Sequence, residues 1–205
     1  MPRSVDELIT LLDLEEIEVG LYRARQPDSV IRRHLRVARR HDALLILDIQ
    51  PGRADFFTET IRLRKWLKHP DVGLAIDPEW RMGPTELPGQ VIGRVDSREV
   101  NATSAWLEQL VVKHDLPQKL FLIHQFTDDM VDEKTLKPRD RLAMVLNVDG
   151  FGGQAIKKAK YNAFAKGTPE GFDIGYKLFY REDTDLMTPK EVMRMRPRPD
   201  VIAYE

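Results

Sequence analysis

The chain contains no cysteine, which removes disulfides, thiolate metal sites and cysteine nucleophiles from consideration. It has no apolar run approaching the ~20 residues that span a bilayer. It also lacks an excess of either charge. With 32 Lys+Arg against 33 Asp+Glu the formal net charge is -1, which argues against non-specific nucleic-acid binding, because that depends on a large basic surplus. The start, Met1-Pro2-Arg3-Ser4-Val5-Asp6, carries no basic-then-apolar leader. Taken literally it implies a cytoplasmic protein. Neither a dinucleotide fingerprint nor a phosphate loop is present, and no cofactor is expected.

What the chain does contain is a repeating pattern. A short apolar run ends in polar residues, and an amphipathic or looping stretch follows. Over 205 residues this suits one domain with a full core. Seven runs read as strands: Ile17 to Tyr22, Ala43 to Ile49, Val72 to Ile76, Lys119 to Gln125, Leu142 to Val148, Ile174 to Tyr180 and Val201 to Glu205. Helical spacing marks Val30 to Arg40, Asp55 to Lys68, Glu99 to His114 and Gln154 to Ala165, and Thr188-Pro189 opens a last short helix. Alternation of this kind implies a parallel sheet covered by helices. Polar residues at the end of strand after strand favour a TIM-barrel-like (β/α) architecture of about seven parallel strands, its first strand missing, over a doubly wound sheet. Such a barrel predicts two unpaired edges, between the Ile17 and Val201 strands, through which copies of the chain could associate.

Several segments are familiar in combination: Leu21-Tyr22-Arg23-Ala24-Arg25-Gln26-Pro27-Asp28, Leu47-Asp48-Ile49-Gln50-Pro51-Gly52-Arg53, Ala75-Ile76-Asp77-Pro78-Glu79-Trp80, His124-Gln125-Phe126, Asn147-Val148-Asp149-Gly150-Phe151-Gly152 and Lys177-Leu178-Phe179-Tyr180. Together they resemble an uncharacterised family of actinobacterial proteins, many of them secreted or lipid-anchored. The resemblance implies a TIM-barrel fold and, if the natural N-terminus is longer, a secreted or envelope-anchored location. It implies no particular reaction.

The sharpest chemical feature is the pair Asp77 and Glu79. Alternate residues on a strand share a face, which puts both carboxylates at the barrel mouth, where such a pair supplies the acid and base, or acid and nucleophile, of glycoside hydrolysis. The bland alternative is that Asp77 accepts loop amides while Glu79 pairs with Arg81. Asp48 and Gln50 follow the same two-residue rule on the preceding strand, Asp48 as a possible second carboxylate. His124 and Gln125 point to opposite faces, so only one reaches the mouth. Asn147 and Asp149 close a strand before a Gly-rich turn. Trp80 and Tyr180 follow strands, where they could stack on sugar rings or cap the core. The expectation is therefore a carbohydrate-directed, hydrolase-like barrel acting on or binding a cell-envelope polysaccharide. Glu79, Asp77 and Asp48 are the candidate catalytic groups; Gln50, Trp80, His124, Gln125, Asn147, Asp149 and Tyr180 are the candidate substrate contacts. Two alternatives remain open: a non-catalytic barrel that binds an envelope ligand or protein, and a metal-dependent hydrolase with oxygen-rich ligands. No residue set has close metal-ligand spacing.

The basic run Arg32, Arg33, His34, Arg36, Arg39 and Arg40 reads as the solvated face of a helix.

Overall fold

A computed structural model describes residues 20–205. Its strands are β1 (Leu45–Ile49), β2 (Val72–Ile76), β3 (Lys119–Gln125), β4 (Leu142–Val148), β5 (Asp173–Leu178) and β6 (Val201–Tyr204). All are parallel and pair in sequence order, so every connection moves one strand onward. The helices are α1 (Asp28–Arg40), α2 (Phe56–Arg62), α3 (Arg64–Leu67), α4 (Ser97–Lys113), α5 (Gln154–Gly167) and α6 (Pro189–Val192). The sheet curls into a half-barrel.

This corrects the expected seven-stranded TIM barrel. Among the described residues there are six strands, and β1 and β6 form the two ends of an open sheet. Of the expected first strand, Ile17 to Val19 lie outside the described residues, and Gly20 and Leu21 form a turn. The reason is local. Gly20 has φ 91° and Tyr22 φ 52°, left-handed conformations that a pleated strand does not accommodate. The turn instead packs on the Pro51-Gly52 corner after β1. Arg53 N–H donates to Leu21 O at 2.8 Å, and a side chain at Gly52 would meet the carbonyls of Leu21 and Tyr22 at 2.2–2.3 Å.

The two faces of the sheet differ in chemistry. Leu74, Ile76, Phe121, Ile123, Met144 and Leu146 point to the convex side, where they join Phe56, Leu67, Val100, Leu107 and Val111 of the helices in the main core. Val148, Ile174, Tyr176 and Leu178 continue this face into a second cluster with Tyr161, Phe164 and Val192. The concave side has a small apolar floor of Ala75, Leu122 and Val145, flanked by Ile46, Leu120 and Val201. Above that floor, toward the carboxyl ends of the strands, the concave face turns polar.

Helix boundaries follow their caps. Asp55 and Asp96 accept the N–H groups of Thr58 and Arg98 at the starts of α2 and α4. Thr188 and Glu191 form a reciprocal capping box around Pro189 at α6. The single helix expected over Asp55 to Lys68 is interrupted at Leu63, where ψ is 0°, so α2 and α3 meet at a bend that buries both Phe56 and Trp66.

Lys119 places a charge inside the convex core. Lys119 opens β3 with only 2% of its surface exposed, and its Nζ donates to His69 O at 2.6 Å and Val72 O at 2.7 Å. Burial pushes this ammonium down to about 8. The unfolded lysine titrates near 10.5, so it binds more protons than the folded one between these values, and its contribution to stability rises with pH across that window. Read by difference in denaturant unfolding, wild type is expected to gain about 1–3 kcal/mol on Lys119→Met between pH 8 and 10.5; a difference that stays constant across that window would assign the effect to another group.

Candidate functional site

The polar half of the concave face is assembled from all six strands. Asp48 comes from β1, Asp77 from the residue after β2, His124 from β3, Asn147 and Asp149 from the end of β4, and Lys177 from β5; Glu205 follows β6. Strand periodicity explains the convergence. Asp48 is in register with Ala75, and Asp77 lies two residues beyond Ala75. His124 is in register with Asn147, and Asn147 with Gly175. Alternate residues share a face, so the curl of the sheet brings these side chains together.

His124 is the centre. Its Nε2 lies 3.0 Å from Asp48 Oδ2 and its Nδ1 3.0 Å from Asp149 Oδ2. An imidazole that donates to a carboxylate from both nitrogens must carry both protons. Burial opposes this charge, but the two partner carboxylates outweigh it and raise the imidazolium to about 10. His124 is thus a fixed cation, without the free lone pair needed for a general base or a metal ligand. This ionisation also decides the neighbouring amide. Asn147 Nδ2, 3.3 Å from Nδ1, would set donor against donor. Turned over, the amide directs its oxygen at the imidazolium, which removes the otherwise unpartnered buried Asn147 Oδ1. There is no room for a larger residue beside it, because a Cβ at Gly175 would lie 2.4 Å from Asn147 Oδ1.

Lys177 extends the network. Its Nζ is 3.1 Å from Asp149 Oδ2 and 2.7 Å from Glu205 Oε2. The run is therefore carboxylate, imidazolium, carboxylate, ammonium, carboxylate, from Asp48 at one side of the face to Glu205 at the other. The two end members are open to solvent, with side chains 41% and 42% exposed, whereas those of His124 and Asp149 are 7% exposed.

The carboxyl groups divide by protonation. Burial tends to raise Asp149, but His124, Lys177 and the Gly150 N–H hold it down at about 2. Packing of its inner side against the network tends to raise Asp48, whose outer side is open to solvent, but His124 at 3.0 Å outweighs this and leaves it below the usual range. Asp77, only 4% exposed, is raised to about 7 because burial and the neighbouring Asp48 and Asp149 outweigh the attraction of His124. Burial also raises Glu79, which Asp149 reinforces.

Asp77 and Glu79 do not share a strand face as expected. β2 ends at Ile76, and Pro78–Trp80 form a 3-10 turn with Asp77 as its cap, accepting the Glu79 N–H at 3.2 Å. Pro78 explains the break, since it suits the first position of a helix and cannot donate to a ladder. Glu79 is half-buried at the rim. Its backbone carbonyl accepts from Gly93 N at 2.7 Å, and a Cβ at Gly93 would meet the carbonyls of Pro78, Glu79 and Arg81 at 2.5–2.6 Å. Arg81 pairs with Glu99 at 3.2 Å.

The structure brings together Asp48, Asp77, His124, Asn147 and Asp149. Gln125 is buried on the opposite, convex side. Gln50 is exposed past the end of β1, Trp80 is half-buried in the 3-10 turn, and Tyr180 is exposed against Tyr204 with ring centroids 5.6 Å apart. Sequence reasoning gave no role to Glu205 and missed Lys177. Its signal was present: a lysine in an otherwise apolar buried strand, in phase with Gly175, demands an acidic partner. Among the described residues no group of three or more His, Asp or Glu is arranged to hold a metal ion, and no helix is long and apolar enough to cross a membrane. An open cleft of about 350 Å³ lies elsewhere, lined by Lys158, Asn162, Glu191, Arg194, Met195 and Arg196; it shares no residue with the network.

No family model, curated protein or solved structure matches this chain.

Proposed function

We propose that the concave face binds a neutral, hydroxyl-rich ligand of the carbohydrate class and hydrolyses it with two carboxyl groups, Asp77 as proton donor and Asp48 as the ionised partner. The observation that carries this reading is the placement of two carboxyl groups with opposite surroundings in one network: Asp77 is buried at 4% exposure and pushed up to about 7, whereas Asp48 is open to solvent, 3.0 Å from the His124 imidazolium, and held down. Carboxyls driven apart in this way are suited to acid and base roles at one pH. Strand geometry sets their backbones one strand spacing across and two residues along, about 8 Å apart, and the side-chain rotamers set the separation of the carboxyl groups on which glycoside hydrolysis depends.

Each residue then has a part. Asp77 keeps its proton until neutral pH and delivers it to the leaving oxygen. Asp48, exposed and ionised, activates water or stabilises the positive charge that develops on the sugar ring. His124 and Lys177 do not exchange protons; they hold Asp48 and Asp149 ionised and in place. Glu79 and Glu205, at opposite parts of the rim, offer acceptors to sugar hydroxyls, and Tyr180 and Trp80 offer ring faces. A cell-envelope polysaccharide is the proposed source of such a ligand, on the strength of the resemblance to secreted actinobacterial proteins.

The test is a screen of envelope glycans with wild type, Asp77→Asn and Asp48→Asn. The expected result is a loss of 10²–10⁴-fold in turnover for Asp77→Asn with ligand binding retained, and an activity in wild type that falls as pH rises through about 7. Equal turnover in wild type and Asp77→Asn would overturn the assignment. A second reading, a non-catalytic binding module, is favoured by the engagement of Asp48 and Asp149 with His124; tight glycan binding with no turnover in wild type would select it.

A further inference from the structure

A basic face lies on the outer, convex side, away from the polar network. In α1 the five arginines Arg32, Arg33, Arg36, Arg39 and Arg40 are all exposed, while Ile31 and Leu35 are buried. Helical spacing places Arg33, Arg36, Val37 and Arg40 along one stripe opposite that buried edge. The next layer adds to it. The Arg32 guanidinium is 5.9 Å and Lys65 Nζ 5.5 Å from the centroid of the Trp66 ring, which joins α1 to α3. His114, at the end of α4, feels Lys68, Lys113 and Arg64 as its nearby charges and is lowered by burial and by them. The basic surface therefore continues from α1 across α3 to the carboxyl end of α4. Acidic compensation is limited: Asp71 takes Arg39 at 2.6 Å, Asp28 takes Lys65, and Asp42 and Asp115 are exposed at the ends of α1 and α4. Arg33, Arg36 and Arg40 have no acidic partner among the described residues. In a chain of net charge -1 this is a strong local asymmetry.

Exposed apolar groups lie on the same helices and on the connection from α1 to β1. Val37 is 40% exposed and Leu44, just before β1, is 59% exposed; Val112, beside Lys113, is 61% exposed. Arginines interleaved with exposed aliphatic side chains match a bilayer interface, where the cations meet lipid phosphates and the aliphatic groups enter the boundary between headgroups and acyl chains. They match a nucleic acid less well. Trp66, the aromatic at the centre of the patch, is only 6% exposed and offers no face for a base to stack on.

We propose that this α1–α3–α4 face docks the protein on an anionic phospholipid bilayer, with the concave network directed away from the lipid. The inference does not rest on the proposed chemistry, since none of its residues belongs to the network.

Vesicle sedimentation of the full chain tests it. Vesicles of phosphatidylcholine alone are compared with vesicles containing about 30% phosphatidylglycerol, a composition that supplies the negative surface potential. Binding is expected only to the anionic vesicles, and it is expected to be released on raising salt from about 0.05 to 0.5 M, as screening shortens the reach of the charges. The triple variant Arg33→Glu, Arg36→Glu, Arg40→Glu is expected to lose about a hundredfold or more in partitioning. Leu44→Ser with Val37→Ser should weaken binding several-fold at unchanged salt dependence. Control reversals at Lys190 and Arg194, by α6 at the other end of the sheet, are expected to leave it unaltered. Circular dichroism confirms that each variant is folded. The proposal is overturned if wild type fails to sediment with anionic vesicles at low salt, if the control reversals weaken binding as much as the triple, or if duplex DNA competes the protein off the vesicles through the same arginines.

Discussion

His124→Ala is expected to lower the free energy of unfolding by about 3–5 kcal/mol at pH 7. Its removal leaves Asp48 with no cation at its inner side and Asp149 with Lys177 alone at 3.1 Å, beside the buried Asp77. The penalty is the desolvated, mutually repelling negative charge that remains, not the small net worth of the ion pairs themselves. The pH dependence separates this cause from a packing defect. In wild type the folded imidazolium titrates near 10 against 6.5 unfolded. Its contribution is complete below pH 6.5 and is lost as pH rises through about 10. In His124→Ala that limb disappears, and the variant recovers stability as pH falls toward 4, where its stranded carboxylates take up protons. Urea denaturation across pH 4–10 reads both effects. A constant deficit at every pH would mean that His124 acts only by filling space.

Lys157→Ala is expected to cost a further 3–5 kcal/mol, at a different place and by the same physics. Lys157 lies in α5, 5% exposed, and its Nζ donates to Gly150 O at 2.8 Å, to Lys177 O at 2.9 Å and to Asp183 at 2.9 Å. Asp183 in turn accepts the N–H groups of Gly152 and Phe179. One buried pair therefore ties the loop after β4 to the loop after β5, directly beside Asp149 and Lys177. The double variant Lys157→Met, Asp183→Leu removes both charges and is expected to be more stable than Lys157→Ala alone, since no unpaired ion remains buried. If the double variant is the weaker of the two, the hydrogen bonds to backbone rather than the lost charge partner dominate.

The barrel expectation and the half-barrel found differ for reasons that can be traced to particular residues. Each apolar run from Ala43 onward that reads as a strand is one, to within about two residues, because a helix-covered parallel strand needs apolar groups on its buried faces. The Pro189 helix start was legible from two residues, since the capping box is a local interaction. Two other features misled. The run Ile-Glu-Val-Gly-Leu-Tyr alternates like a strand, but its described end, from Gly20 to Tyr22, turns through positive φ to close on Gly52. Asp77 and Glu79 look like strand neighbours only if Pro78 is passed over. Both errors come from extending a period of two through a residue whose backbone conformation ends it.

The sequence by itself determined the elements and their alternation, and so a parallel sheet with polar groups at its carboxyl ends, because backbone propensity and side-chain periodicity act over a few residues. Only the tertiary structure decided that the sheet stays open, that Asp48 reaches past β2 to His124, and that Lys177 joins Asp149 to Glu205. Those outcomes depend on register and curl between strands up to 157 residues apart, from Asp48 to Glu205, and on which ions share a buried space. Electrostatics in that space sets the charge of each group, and no single residue's identity reveals it.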